Sequence, residues 1–193
     1  TLWCVYFFRN PSRTTPILSG INKDNLIISP ADGKVIEISQ ITPSEDIGLP
    51  EGNWTRVCVF MNVFDVHVNR SPMSGQISYK KYISGSFINA SLDKASDKNE
   101  RLILNMETNN GHKIAFVQIA GLVARRIICD VDIGNSLKAG EIFGLIRFGS
   151  RVDIYFPKEV SVMVLKGQKM IAGETIIGDF SKNAKPVKEI TDE

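Results

Sequence analysis

Short apolar runs separated by turn residues fill most of this chain, and their spacing predicts strands rather than helices. Leu26-Ile27-Ile28 runs into Ser29-Pro30 and a turn through Ala31-Asp32-Gly33, after which Lys34-Val35-Ile36-Glu37-Ile38 is strand-like. Two prolines and two glycines between Thr42 and Asn53 predict a loop, and Arg56-Val57-Cys58-Val59-Phe60 is a strand rich in β-branched and aromatic residues. Asn62 is placed to cap a single turn through Phe64-Asp65 before Val66-His67-Val68 extends again. Tyr79 to Phe87 reads as a strand pair or connector, and Leu92 to Glu100 as a polar excursion that could hold a short helix. Arg101–Thr108 and Lys113–Ile119, flanking Asn109-Asn110-Gly111, form the clearest hairpin pattern. A further strand is expected over Val123–Cys129, with Arg125 and Arg126 embedded in it. Gly134-Asn135-Ser136-Leu137-Lys138-Ala139-Gly140-Glu141 is echoed by Gly167-Gln168-Lys169-Met170-Ile171-Ala172-Gly173-Glu174, each leading into an Ile-rich strand. Such paired glycines around short strands are like the turns of lipoyl-type, or hammerhead, repeats. With no long amphipathic helix, the expected fold is mainly β: a single-domain β-sandwich or barrel with lipoyl-like repeats and few short helices.

Composition narrows the function. A chain of 193 residues is one domain's worth, able to bury about 70% of its unfolded surface. A net charge of +2 without a Lys/Arg-rich run argues against nucleic acid. Three cysteines (Cys4, Cys58, Cys129) make no C-x-x-C pair, which disfavours a disulfide framework or structural zinc and fits a reducing compartment. Two histidines, His67 and His112, leave few arrangements for a metal site, and none is expected. His112 sits at the hairpin turn and is expected to be solvated. Leu2-Trp3-Cys4-Val5-Tyr6-Phe7-Phe8 is too short to span a bilayer, which takes about 20 apolar residues; followed by Arg9 and Arg13, it reads either as a buried element end or as the interfacial edge of a membrane segment.

One stretch stands apart. Gly144-Leu145-Ile146-Arg147-Phe148 ends in Gly149-Ser150, and a second strand, Val152-Asp153-Ile154-Tyr155-Phe156, follows at once. Glycine permits a strained backbone and a close approach to its carbonyl, and the next hydroxyl can be aimed back at that carbonyl for an acyl shift. A Gly-Ser bulge between two strands is the plainer interpretation.

Taken in order, Ser29-Pro30-Ala31-Asp32-Gly33-Lys34-Val35, Phe64-Asp65-Val66-His67-Val68-Asn69-Arg70-Ser71-Pro72, Val117-Gln118-Ile119-Ala120-Gly121-Leu122-Val123-Ala124-Arg125-Arg126-Ile127 and Phe148-Gly149-Ser150-Arg151-Val152-Asp153 resemble the phosphatidylserine decarboxylases, specifically the short bacterial and archaeal-like branch. The likeness runs from about Phe7 to about Gly178. It implies self-cleavage between Gly149 and Ser150, giving chains 1–149 and 150–193 that stay associated. Ser150 would become a covalent pyruvoyl group, the cofactor, which forms a Schiff base with a serine headgroup. Phosphatidylserine would lose carbon dioxide to give phosphatidylethanolamine at the cytoplasmic face of a bacterial membrane. Residues 1–16 would lie close to that membrane, held peripherally or through a segment upstream of Thr1. Archaetidylserine is an alternative substrate of the same chemistry, and an inert β-barrel binding module an alternative of another class.

His67 is the expected base and Asp32 the carboxylate that would orient it, with Asp65 as a rival. A backbone-satisfied histidine and an Asx-turn aspartate are the corresponding structural alternatives. Longer members of the family often carry two histidines in this segment, whereas here Arg70 stands where a second would fall. Arg70 is the expected substrate-binding cation, ahead of Arg125, Arg126 and Arg151. A partly open barrel would leave edges for a second copy.

Overall fold

A computed structural model describes residues 2–16, 22–86, 89–91, 98–121, 126–147, 149–181 and 184–187. A short helix, α1 (Leu2–Phe7), precedes fourteen strands: β1 (Leu26–Ile28), β2 (Gly33–Ile41), β3 (Trp54–Met61), β4 (Val68–Arg70), β5 (Gly75–Ile83), β6 (Arg101–Thr108), β7 (Lys113–Ile119), β8 (Ile127–Cys129), β9 (Ser136–Leu137), β10 (Ile142–Ile146), β11 (Ser150–Pro157), β12 (Ser161–Val162), β13 (Lys169–Met170) and β14 (Ile176–Asp179). Eight of them form one sheet in the order β13-β2-β3-β11-β7-β6-β5-β9, curled into an open half-barrel. Two three-stranded sheets, β1-β14-β12 and β4-β10-β8, complete the fold. The mainly β expectation holds.

The hairpin β6–β7 has the expected bounds, with Glu107 facing Lys113 and Gly111 taking φ +77° at the turn. The Asp32-Gly33 bend does not make a hairpin. β1 leaves to pair with β14, while β2 pairs with β3 and β13. The loop over residues 42–53 contains a 3-10 turn at Glu45–Ile47, and Asn62 caps its turn as expected by accepting from the Phe64 N–H at 2.8 Å. Of the strand expected over 123–129, Ile127–Cys129 is formed; residues 123–125, like 92–97 of the polar excursion, lie outside the described residues.

Period-two alternation sends side chains of the central strands to two apolar clusters, one on each face. Leu104 and Met106, Ile114 and Phe116, and Val152, Ile154 and Phe156 enter the inner core. Ile103, Ala115, Val117, Ile119 and Tyr155 pack on the other face against Ile47 and Trp54. With both faces covered, Ile114–Val117 of β7 is apolar and buried at every position.

The echo in the sequence is a structural repeat, and it is larger than the glycine pattern indicates. Gly134, Gly140, Gly167 and Gly173 have φ of +88°, +81°, +90° and +78°. The first repeat docks on β5 and the second on β2 with matching bonds: Gly134 N–H to Ile77 O and Gly167 N–H to Val35 O, both 2.8 Å. The same correspondence relates Ser71-Pro72 to Ser29-Pro30. Each serine hydroxyl donates to the carbonyl two residues on at 2.7 Å, and the turns exchange bonds of 2.9 Å, Ile28 N–H to Pro72 O and Arg70 N–H to Pro30 O. β9 and β13 thus occupy the two edges of the large sheet.

The outer face of β11 carries a buried ion pair. Arg151 donates from Nε and Nη2 to the Asp153 carboxylate at 2.5 and 2.7 Å, both side chains being fully buried, and Nη2 also lies 3.2 Å from Cys58 Sγ. Removing one partner of such a pair leaves an uncompensated buried charge and costs about 3–5 kcal/mol. Asp153→Asn is therefore expected to lower the unfolding free energy by about that amount in urea titration, whereas an exposed change such as Lys166→Gln should stay within about 0.5 kcal/mol.

Candidate active site

Ser150 opens β11, opposite Met61 of β3. The preceding Gly149 has φ +59°, in the left-handed region that suits glycine. Its carbonyl is seated against Gly121, just beyond β7: a Cβ built on Gly121 would lie 1.5 Å from the Gly149 oxygen and 2.7 Å from its carbonyl carbon. No side chain fits at 121 while the peptide stays where it is. Ser150 is fully buried, and its Oγ has no hydrogen-bond partner among the described residues.

His67 enters β4 from the turn at residues 62–65. β4 lies antiparallel to β10, with Val68 facing Leu145 and the Ile146 N–H 3.3 Å from the His67 carbonyl, so the chain reaches Ser150 four residues after leaving the histidine's strand. Asn69 ties β4 to both neighbours of β11. Its Oδ1 accepts from Gln118 Nε2 at 2.9 Å, and its Nδ2 lies 3.6 Å from Met61 Sδ. Gln118 faces Val152 across β7–β11, as Met61 faces Ser150 across β3–β11.

The imidazole is 2% exposed, with the Phe7 ring over it at a centroid distance of 4.2 Å. Nδ1 lies 2.9 Å from the Asp65 carbonyl oxygen. A carbonyl only accepts, so Nδ1 carries the proton and Nε2 keeps its lone pair. Nε2 is buried without a partner among the described residues. Burial pushes the His67 pKa down to about 4; the bond to the Asp65 carbonyl opposes the shift and the Arg9 charge adds to it. The ring is therefore neutral near pH 7. Ser150 Oγ, His67 Nε2 and Gln118 Oε1 are three buried polar atoms left unpaired on neighbouring elements. Unpaired buried polar atoms are uncommon, and each calls for an explanation.

The family model for phosphatidylserine decarboxylase matches residues 1–178. The chain belongs to the phosphatidylserine decarboxylase family. It is 54% identical over 182 residues to proteins of Rickettsia akari and Rickettsia felis named phosphatidylserine decarboxylase proenzyme, covering 94% of this chain and 77% of each relative. A Rickettsia typhi protein of the same name is 53% identical over the same span.

Within this family member, Gly149 and Ser150 stand at the start of β11 and His67 just before β4, which Asn69 ties to both neighbours of β11, but Asp32 does not join His67. Its carboxylate accepts from Arg13 Nη2 at 3.0 and 2.7 Å and from the Ala172 N–H at 2.8 Å. The repeat explains the second bond, because at the matching place Ser74 Oγ accepts from the Ala139 N–H at 3.0 Å. Asp32 thus caps a repeat turn. The rival Asp65 reaches His67 only through its main chain; its carboxylate accepts from the Asn62 N–H at 2.9 Å, and burial raises its pKa.

Arg70 is also committed, donating to Gly140 O at 2.9 Å, Asn10 Oδ1 at 2.7 Å and Pro11 O at 3.2 Å. It fastens the segment around residues 10–11 to the repeat. Arg126 is exposed, Arg151 is held by Asp153, and Arg125 lies outside the described residues. His112 is not simply solvated: its ring stacks on Phe180 at 4.0 Å.

Asn69, Gln118, Gly121 and Phe7 are the site residues that sequence reasoning did not single out. The first three lie inside the motif stretches, but their roles depend on contacts between strands far apart in sequence. Among the described residues no group of three or more His, Cys, Asp or Glu side chains could hold a metal ion, and no helix is long and apolar enough to cross a membrane.

The depressed His67 pKa has a consequence for stability. The unfolded chain takes up this proton below about pH 6.5, but the folded protein takes it up only near pH 4. The contribution is complete above about pH 6.5 and is lost as the pH falls toward 4, by on the order of 2–3 kcal/mol. Urea unfolding at pH 7 and at pH 4.5 should give a larger loss for the native protein than for His67→Gln; equal losses would mean that His67 does not carry it.

Proposed function

We propose that this chain is a self-processing phosphatidylserine decarboxylase, a carboxy-lyase that cuts its own backbone between Gly149 and Ser150 and then converts phosphatidylserine to phosphatidylethanolamine and carbon dioxide. The observation that carries this is the seating of the Gly149 carbonyl against Gly121, with the buried, unpartnered Ser150 Oγ beside it. The relatives' own name, proenzyme, fits the same reading.

In the first step Ser150 Oγ attacks the Gly149 carbonyl carbon and gives its proton to a base. His67 Nε2 is the proposed acceptor, because it is neutral, buried and unpaired. The C–N bond of residues 149 and 150 breaks as the ester C–O bond forms, and the amine of residue 150 takes up a proton. Elimination then releases the Gly149 carboxylate, and water replaces the nitrogen with loss of ammonia, leaving pyruvoyl at position 150. The site fits such a group: position 150 is enclosed, and the β11 ladder from Arg151 to Pro157 holds it after the cut. When present, the pyruvoyl group supplies a carbonyl that condenses with the substrate amine and accepts the electron pair released as carbon dioxide departs. His67 would orient and exchange protons beside it, with Phe7 and the surrounding strands keeping water out.

On this reading residues 1–193 act as one domain, residues 1–16 lie next to the membrane holding the lipid, and Asp32 supports the site from the repeat turn.

Intact-mass measurement of the denatured protein is expected to give two chains, residues 1–149 and a pyruvoyl-capped 150–193. Ser150→Ala should remain one chain. Gly121→Ala should slow cleavage by on the order of 100-fold, because it displaces the scissile carbonyl. Cleavage should be nearly independent of pH between 6 and 8, falling only toward the His67 value of about 4. A folded native protein that stays uncut on long incubation would overturn the proposal.

A further inference from the structure

β13 sets Lys169 directly opposite Lys34 of β2. Like charges facing each other across a sheet destabilise it. Both side chains are exposed, and neither makes an ion pair among the described residues. They flank a cleft of about 200 Å³ whose other walls are Gly33, Gly167, Asn62 and Asp65. Asp65 is the one carboxylate there, turned onto the Asn62 N–H, so two cations face one anion.

The cleft lies at the end of the sheet where Ser150 begins β11. Lys34 faces Phe60, and Phe60 faces Arg151, which puts the lysine two strand spacings, about 10 Å, from the strand of the proposed cut.

Asn62 and Asp65 also close the turn that leads to His67. The Asp65 N–H donates to Asn62 O at 3.0 Å, and the two side chains cap the turn from within. A turn fixed this way presents Phe64 outward, 63% exposed. The aromatic tip is braced from α1: Trp3 meets Phe64 edge-on at 5.7 Å, and Tyr6 Oη and Arg9 Nη2 donate to the Phe64 carbonyl at 3.2 and 2.7 Å. Trp3, Tyr6 and Phe8 are themselves 43–46% exposed, and Arg9 lies over the Tyr6 ring at 3.9 Å. Amphipathic aromatics interleaved with cations suit the boundary between headgroups and acyl chains.

We propose that the Phe64 turn and the Lys34–Lys169 pair form a docking surface for an anionic lipid bilayer, the aromatic tip entering the interface and the two ammonium groups meeting lipid phosphates beside it. The geometry stands by itself, while its purpose rests on the lipid-substrate reading above. Because the turn ends at His67, docking brings the mouth of the site to the membrane.

The test is sedimentation of the intact protein with vesicles of phosphatidylcholine alone and of phosphatidylcholine with phosphatidylglycerol, an anionic lipid without the serine headgroup. The native protein should favour the anionic vesicles and lose them with added salt. The double variant Lys34→Gln/Lys169→Gln should bind them about 30-fold more weakly, at about 1 kcal/mol per surface lysine. Phe64→Ser should weaken binding to both vesicle types. Native-like self-cleavage by intact mass would show that the variants fold, and turnover of a monomerically dispersed short-chain phosphatidylserine should be unchanged while turnover in vesicles falls. Unaltered vesicle binding by the double variant overturns the proposal. So does unaltered binding by Phe64→Ser, the outcome if another segment of the intact protein covers this face. Vesicle binding that follows the lysines in a protein that neither cleaves nor decarboxylates would leave the docking surface standing and remove the enzymatic reading instead.

Discussion

Everything at the site depends on the ladder that fixes β11. Eight residues from Ser150 to Pro157 face Met61 to Trp54 of β3, and five of them face β7 on the other side. A one-residue slip would turn Ser150 out of the interior and carry both charges of the Arg151–Asp153 pair into the apolar inner core. The buried Arg151–Asp153 pair on the outer face makes such a slip costly, so this ion pair helps to set the position of the Ser150 hydroxyl.

The strands themselves were legible. β6, β7 and β11 appear where β-branched and aromatic residues run between turn residues, and the Asn109-Asn110-Gly111 turn places its hairpin correctly. The pairing of β1 with β14 and of β4 with β10 was not legible, because each Ser-Pro turn is tied by main-chain bonds to a repeat turn distant in sequence, Ser29 N–H to Thr175 O at 2.8 Å and Ser71 N–H to Glu141 O at 2.7 Å. Only the glycine half of that repeat is visible in the sequence; its other half shares little beyond Ser-Pro and a following Gly.

The site was legible in part for the same reason. Ser150 and His67 are residue types whose chemistry is visible in a sequence, and the fold links their strands through Asn69. Asp32 has equally suggestive chemistry, but its carboxylate does the work that a serine hydroxyl does at the matching turn. The group that sets the His67 tautomer is a main-chain carbonyl, which every residue possesses and no sequence pattern marks. Gly121 acts by lacking a side chain, and that becomes visible only when the Gly149 carbonyl is seen resting against it.

The sheet order has one further consequence. β12, β13 and β14, all beyond Ser150, pair with one another or with β1 and β2, and β11 lies between β3 and β7. The segment after Ser150 is therefore woven through the segment before it rather than appended to it. A backbone cut at that bond would yield two polypeptides born in equal number, already assembled, and inseparable without unfolding both. Subunit stoichiometry, which most two-chain proteins must secure by matched synthesis and chance encounter, would here be inherited from a single act of translation.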